Sequence, residues 1–215
     1  MEDQRPYWER VAARKTFTHP LDRGWLDAYV PATARVLDYG CGYGRTMAEL
    51  CARGYRRLVG MDFSAAMIAR GRRDHPDLDL RVVRSLPTVE PDGSFDAAFL
   101  MAVLTAIPED AEQDAVMAEL RRLLRPGGIL YVSDMPLQTD DRNRARYLRD
   151  AGRFGAHGVF RTDDGALVRH HDEARLLALL DGFVPLGRQE IALTTMNGNA
   201  ATGVQIIARK GGAAA

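Results

Sequence analysis

Only two of the 215 residues are cysteines, Cys41 and Cys51. That is too few for a disulfide framework and makes a reduced cytoplasm the expected location. Net charge is lacking as well, since 29 basic residues balance 29 acidic ones. Nucleic-acid binders carry a basic excess, so no nucleic-acid partner is expected. Apolar runs are short, so no membrane span is expected. Met1–Arg10 mixes charges of both signs and lacks the apolar stretch of a secretory leader. Internal repeats and low-complexity linkers are missing, and only the tail, Gly211–Ala215, reads as a frayed end. Lysine is scarce: of the 29 basic residues only Lys15 and Lys210 are lysines, leaving 27 arginines. Arginine forks onto carboxylate and phosphate. Here the arginines are scattered and alanine is abundant, which reads as coding bias. What is present, 46% hydrophobic and 27% charged residues, suits one soluble globular domain.

Short apolar runs alternate with helical patterns. Tyr7–Val30 is helical in character, interrupted near His19-Pro20. Strands are expected at Val36-Leu37, Leu58–Met61, Leu80–Val83, Phe95–Met101 and Ile129–Val132. Helices are expected at Thr46–Arg53, Ala65–Arg73 and Ala111–Leu124, the last stopping at Arg125-Pro126-Gly127-Gly128. This alternation predicts parallel βαβ units in an open α/β sheet. Residues 137–171 are polar and arginine-rich, fall outside the alternation, and read as an inserted lid. A helix over Asp172–Leu180 follows. Asn197-Gly198 between two β-prone runs predicts a hairpin, with the last two strands antiparallel at one sheet edge.

The most informative segment is Val36-Leu37-Asp38-Tyr39-Gly40-Cys41-Gly42-Tyr43-Gly44, which leaves a strand and enters a helix. Glycines there let backbone N–H groups approach a ligand, and ligands of open α/β sheets sit at this end of the strands. The dinucleotide fingerprint needs glycine where Arg45 stands, and no Gly-Lys-Ser/Thr phosphate loop exists. Asp38 would repel a pyrophosphate but suits an ammonium or sulfonium. Asp62, at the end of the next strand, suits a ribose diol, with a helix N-cap as its competing role. Phe63 suits a purine face. A ribose, a purine and a cation together describe S-adenosylmethionine.

Val36–Gly44, Val59-Gly60-Met61-Asp62, Ser94–Ala98 and Leu124–Gly128, in this order and spacing, resemble the successive motifs of the class I S-adenosylmethionine-dependent methyltransferases, across roughly residues 30 to 135. The resemblance implies an α/β, Rossmann-like class I methyltransferase fold. Its sheet is seven-stranded and mostly parallel, with an antiparallel last strand and an inserted lid. It implies a helical cover at 1–30, a cofactor core at 31–136, a substrate lid at 137–171, and a closing helix and hairpin at 172–210. It places Gly40 and Gly42 against the methionine part of the cofactor and Asp38 near its amino group. It gives Asp62 the ribose hydroxyls, Phe63 and Met67 the adenine border, and Met101 a backbone carbonyl toward the amino group. An acid that the family often carries after the third strand is absent, which passes adenine recognition to Ser85 or Leu86. Thr105-Ala106 stands where many relatives carry histidine.

General-base candidates are therefore the pair His170 and His171 at the lid's end, with His19 and His157 behind them. Arg142, Arg146, Arg149 and Arg153 form one helical stripe, read as a solvated face rather than a docking face for an acidic substrate. The expected activity is methyl transfer to an oxygen or nitrogen of a small molecule, and the coding bias suggests secondary metabolism. The rival is a protein of this fold that binds the cofactor or its product without methyl transfer, as a partner subunit or an enzyme of another reaction. No metal is expected. The acceptor, a protein partner and the oligomeric state are left open.

Overall fold

The structure, a computed structural model, describes residues 3–212, so Met1-Glu2 of the opening stretch and Ala213–Ala215 of the tail lie outside it. Two short helices open the chain, α1 (Arg5–Val11) and α2 (Arg23–Tyr29). Then come β1 (Arg35–Tyr39), α3 (Arg45–Ala52), β2 (Arg57–Asp62), α4 (Ala65–Asp74), β3 (Asp79–Val82), β4 (Phe95–Met101), α5 (Asp110–Leu123) and β5 (Leu124–Asp134). An excursion follows, α6 (Asp141–Phe154) with the strands β6 (Val159–Arg161) and β7 (Leu167–Arg169). Helix α7 (Glu173–Leu179), β8 (Phe183–Thr194) and β9 (Ala200–Lys210) complete the chain.

Seven strands form one sheet in the order β3-β2-β1-β4-β5-β9-β8, while β6 and β7 pair separately. The first five are parallel, and β9 runs antiparallel to both β5 and β8. This is the Rossmann-like class I methyltransferase fold. Apolar strands are needed because both faces are covered. One face buries Leu26 of α2, Met47 and Leu50 of α3 and Ile68 of α4. The other buries Val116 and Leu120 of α5 with Leu176 and Leu179 of α7. Helix starts follow side-chain capping: Asp22, Ser64, Asp140 and Asp172 each accept a backbone N–H three residues on. Strand order reverses between β1 and β4, which opens a crevice at their carboxyl ends.

Two elements differ from the sequence expectation. The fifth strand begins at Leu124, directly after α5, instead of at Ile129. Phe95 pairs with Leu124 and Ala97 with Ile129, so Arg125–Gly128 bulge out of the ladder instead of forming a connecting loop. The eighth strand starts at Phe183, well before Ile191. As an edge strand with many exposed positions it carries little apolar periodicity, and it tolerates Pro185 at a register shift.

Candidate functional site

At the carboxyl end of β1, the chain turns through Gly40, Gly42 and Gly44, with φ of +73°, +55° and +83°. A Cβ at Gly40 would meet Val103 Cγ2 at 2.5 Å, and one at Gly42 would meet Phe17 Cε2 at 2.0 Å. Only glycine satisfies both the backbone and the space. The loop's donors, however, are spent within the protein. Gly40 and Cys41 N–H both donate to Met61 O, and Gly42 N–H donates to Asp62 Oδ2 at 2.8 Å. The glycines therefore supply clearance, and the expectation of N–H groups aimed at a ligand is corrected at these positions.

Asp38 lies beneath this loop, 2% exposed, and neither carboxyl oxygen has a hydrogen-bond partner. Burial pushes its pKa up to about 7 against the opposing Arg45 guanidinium. A carboxyl left unpaired in so dry a place lacks a cation of its own. Asp62 is engaged differently. Its Oδ1 accepts the Ser64 N–H at 2.8 Å, while Ser64 itself caps α4 through Met67 N–H. So Asp62 is not the N-cap of α4. Burial pushes it up to about 6, opposed by the two N–H donors from Ser64 and Gly42. A carboxylate has about four lone-pair sites, and two remain for hydroxyl groups.

Three cavities share Gly40 in their walls. One is bordered by Tyr39, Asp62, Phe63, Val83, Leu86 and Ile107. Phe63 is 40% exposed there, an apolar ring left open beside the carboxylate. Leu86 borders this cavity and Ser85 does not. A second, smaller one is bordered by Trp8, Phe17, Asp62, Phe63, Met67 and Met101. The third reaches from Asp38, Gly40 and Arg45 past His19 and Met101 to Arg142, Arg146 and His170. Ala102, next to Met101, has φ of +60°, the only described non-glycine residue with positive φ. Such strain gathers at functional crevices, and sequence patterns gave no sign of it. Phe17 was likewise missed: it stacks on Tyr43 at 5.0 Å between ring centres and roofs the loop.

The residues present fit S-adenosylmethionine. The unpaired Asp38 carboxyl matches its ammonium, the cleared glycine loop matches the methionine chain, and Asp62 with the open Phe63 ring matches the adenosine. Leu86 borders the first cavity with Asp62 and Phe63, and Met67 borders the smaller one with the same two residues.

The histidine pair divides. His170 borders the third cavity. Tyr147 Oη accepts the Gln138 N–H at 3.0 Å and lies 2.6 Å from His170 Nδ1. Where Tyr147 donates to that nitrogen, His170 carries its proton on Nε2 and is a donor rather than a base. Burial, helped by the neighbouring His171 and Arg146, holds it down at about 3. His171 does not reach the cavity. Its Nε2 is 2.8 Å from Gln113 Nε2, and its Nδ1 faces Met135 O and Asp134 in the core. A base at His171 is therefore corrected by geometry, because both ring nitrogens are occupied. His157 packs edge-on against Tyr147. Thr105 borders the third cavity but donates its hydroxyl to Arg169 O. His19 also borders it, with Nδ1 2.8 Å from Ser133 Oγ, and burial holds it at about 4.

The arginine stripe splits as well. Arg149 is tied to Asp150 and Arg161 O, and Arg153 lies over Phe154. Arg142 and Arg146 instead turn toward the third cavity.

Residues 36–128 match the family described as Methyltransferase domain. The chain is 34% identical over 119 residues to a demethylmenaquinone methyltransferase of Beutenbergia cavernae, covering 53% of this chain and 48% of that protein. It is 33% identical over 140 residues to a ubiquinone biosynthesis O-methyltransferase of Xanthomonas oryzae, covering 60% and 56%. The chain thus spans about half the length of these curated relatives. Among solved structures, a SAM-dependent methyltransferase of Methanosarcina mazei superposes with a TM-score of 0.84 at 26% identity, covering 89% of this chain and 99% of that one.

Proposed function

Since the chain belongs to the class I S-adenosylmethionine-dependent methyltransferase family, we propose that it transfers a methyl group from that cofactor to an oxygen or nitrogen of a small molecule held in the third cavity. The observation that carries this reading is the buried Asp38 carboxyl with no protein partner beneath a glycine loop that only glycine can form. The O-methyltransferase name of the Xanthomonas oryzae relative supports oxygen as one acceptor atom.

The cofactor supplies a methyl group activated on a cationic sulfur. Asp38 takes the ammonium, Asp62 the ribose hydroxyls, and Phe63 with Met67 and Leu86 the adenine border. His170 donates its Nε2–H to the acceptor and orients it. His19 would remove the acceptor's proton: in the tautomer that gives Nδ1–H to Ser133 Oγ, Nε2 carries the lone pair. Attack of the acceptor oxygen or nitrogen on that methyl carbon would leave the carbon–sulfur electron pair on sulfur, and His19 would take the acceptor's proton. Crowding by Phe17 and Trp8 keeps water from competing.

The test is incubation of the protein with methyl-labelled cofactor and a panel of hydroxyl- and amine-bearing metabolites. Labelled acceptor with matching S-adenosylhomocysteine supports the reading. Binding of S-adenosylhomocysteine with no transfer to any acceptor supports the non-methylating rival. With an acceptor in hand, His19→Gln should lower kcat by ~10²–10⁴ at unchanged S-adenosylhomocysteine affinity, whereas His170→Gln should act mainly on KM.

A further inference from the structure

We propose that the acceptor carries a carboxylate, and that Arg142 and Arg146 hold it at the far end of the third cavity. This rests on the methyl-transfer reading of that cavity. The two arginines are four residues apart on α6, so their side chains leave the same helix face. Both border the cavity, as does Asn143.

Neither guanidinium is neutralised at hydrogen-bonding distance. Arg142 Nε is 3.8 Å from Asp140 Oδ1, and Arg146 is 3.7 Å from Asp163, which projects into solvent. Arg142 Nε is itself buried with no hydrogen-bond partner. Asp140 is already engaged as the cap of α6, accepting from both the backbone and the side-chain nitrogen of Asn143. Charge along the cavity is uneven: Arg45, Arg142 and Arg146 face it against Asp38 alone. Asp38 and Arg45 influence each other at the cofactor end. That leaves a positive end at α6, its arginines met only by the long pairs to Asp140 and Asp163.

Asn143 gives the second, independent sign of a ligand. It is 1% exposed, and its Oδ1 is buried without a partner. That oxygen accepts a hydroxyl or amine proton. The two features together describe a carboxylate with a donor group close by, as in a hydroxy acid or amino acid. Planar guanidinium forks match planar carboxylate oxygens, and Phe160, 5.4 Å from Arg146 Cζ, steadies one fork while giving an apolar wall. His170 also borders this end of the cavity.

The experiment is calorimetric titration of the S-adenosylhomocysteine-saturated protein with salicylate and mandelate, with salicylamide and mandelamide, and with phenyl phosphate. At least one acid should bind saturably, and its amide about ten-fold or more weaker. Arg142→Gln and Arg146→Gln should each weaken the acid by about ten- to a hundred-fold, while Arg146→Lys keeps part of the affinity. Affinity for S-adenosylhomocysteine should stay at the wild-type level in all three. The proposal falls if amides bind as well as acids, if the acids survive both glutamine substitutions, if no acid binds, or if phenyl phosphate alone is taken. Loss of S-adenosylhomocysteine binding by the wild type would instead overturn the cofactor reading beneath it.

Discussion

Asp38 is a group whose charge depends on what binds beside it. In the free protein burial pushes its pKa up to about 7. An ammonium beside it favours the carboxylate, so binding below pH 7 must release a proton. Affinity for S-adenosylhomocysteine should therefore weaken by up to about ten-fold per pH unit below 7. It should plateau above 7 and fall again only where the ligand's own amino group loses its proton. Calorimetry from pH 5.5 to 9 reads the profile, and Asp38→Asn should bind more weakly and lose the acidic slope. A variant with the wild-type profile would remove Asp38 from the cofactor site. Asp62 has a double duty that its sequence position did not reveal. Asp62→Ala should cost about 1.5–3 kcal/mol for each ribose hydrogen bond lost. It also frees the Gly42 and Ser64 N–H groups, so the loop over 40–44 should exchange its amide hydrogens faster even without ligand. Unchanged affinity and unchanged exchange would reduce Asp62 to a bystander.

Three separate segments meet over the glycine loop. Lys15 Nζ binds Asp164 and Asn197, and Tyr7 Oη donates to Asp164 at 2.9 Å. One cation thus ties the entry segment, the β6–β7 turn and the β8–β9 turn together. Lys15→Ala should leave global stability within about 1 kcal/mol, since partly exposed ion pairs contribute little. It should nonetheless raise hydrogen exchange at all three segments, and binding of S-adenosylhomocysteine should restore part of the protection. Exchange unchanged at every one of them would show that the tie holds nothing closed. What was legible at this scale followed periodicity. The five parallel strands, α3 to α5 and the Asn197-Gly198 hairpin are visible because one buried face imposes a repeat on local sequence. Arg125–Gly128 misled because Pro-Gly-Gly signals a helix stop equally well when it bulges within a strand. That Arg142 and Arg146 border a cavity while Arg149 and Arg153 do not was illegible, because a stripe states which side chains share a face and not what that face meets. The glycine loop and Asp62 were legible because their spacing is set by the turn itself. The contact of His19 with Ser133 was illegible because the two lie 114 residues apart.

Buried ionisable groups of opposite tendency offset one another across the molecule. Burial raises Asp38, Asp62 and Asp134 to about 7, 6 and 7, and lowers His19, His170 and His171 to about 4, 3 and 4. Raised aspartates keep protons that the unfolded chain has lost, so their contribution to stability declines as pH rises from about 4 toward 7. Depressed histidines lack protons that the unfolded chain gains below about 6.5, so theirs improves over the same interval. With three of each, the melting temperature should be nearly flat between pH 5 and 6.5. Asp38→Asn removes one declining contribution, so its stability should rise with pH there by up to about 1.4 kcal/mol per unit. Thermal melts across that interval check both statements, and a variant as flat as the parent would refute the balance. The excursion between β5 and α7 has a further consequence. Its ends are stitched side by side, with Leu137 N–H on His171 O at 2.8 Å and His171 N–H on Met135 O at 2.9 Å. A stretch of chain that departs and returns at one point is a cassette. Its length is therefore set apart from the register of the main sheet, and what holds it in place is the side-chain ties that Asp164 and Arg169 make to Lys15 and Asp110.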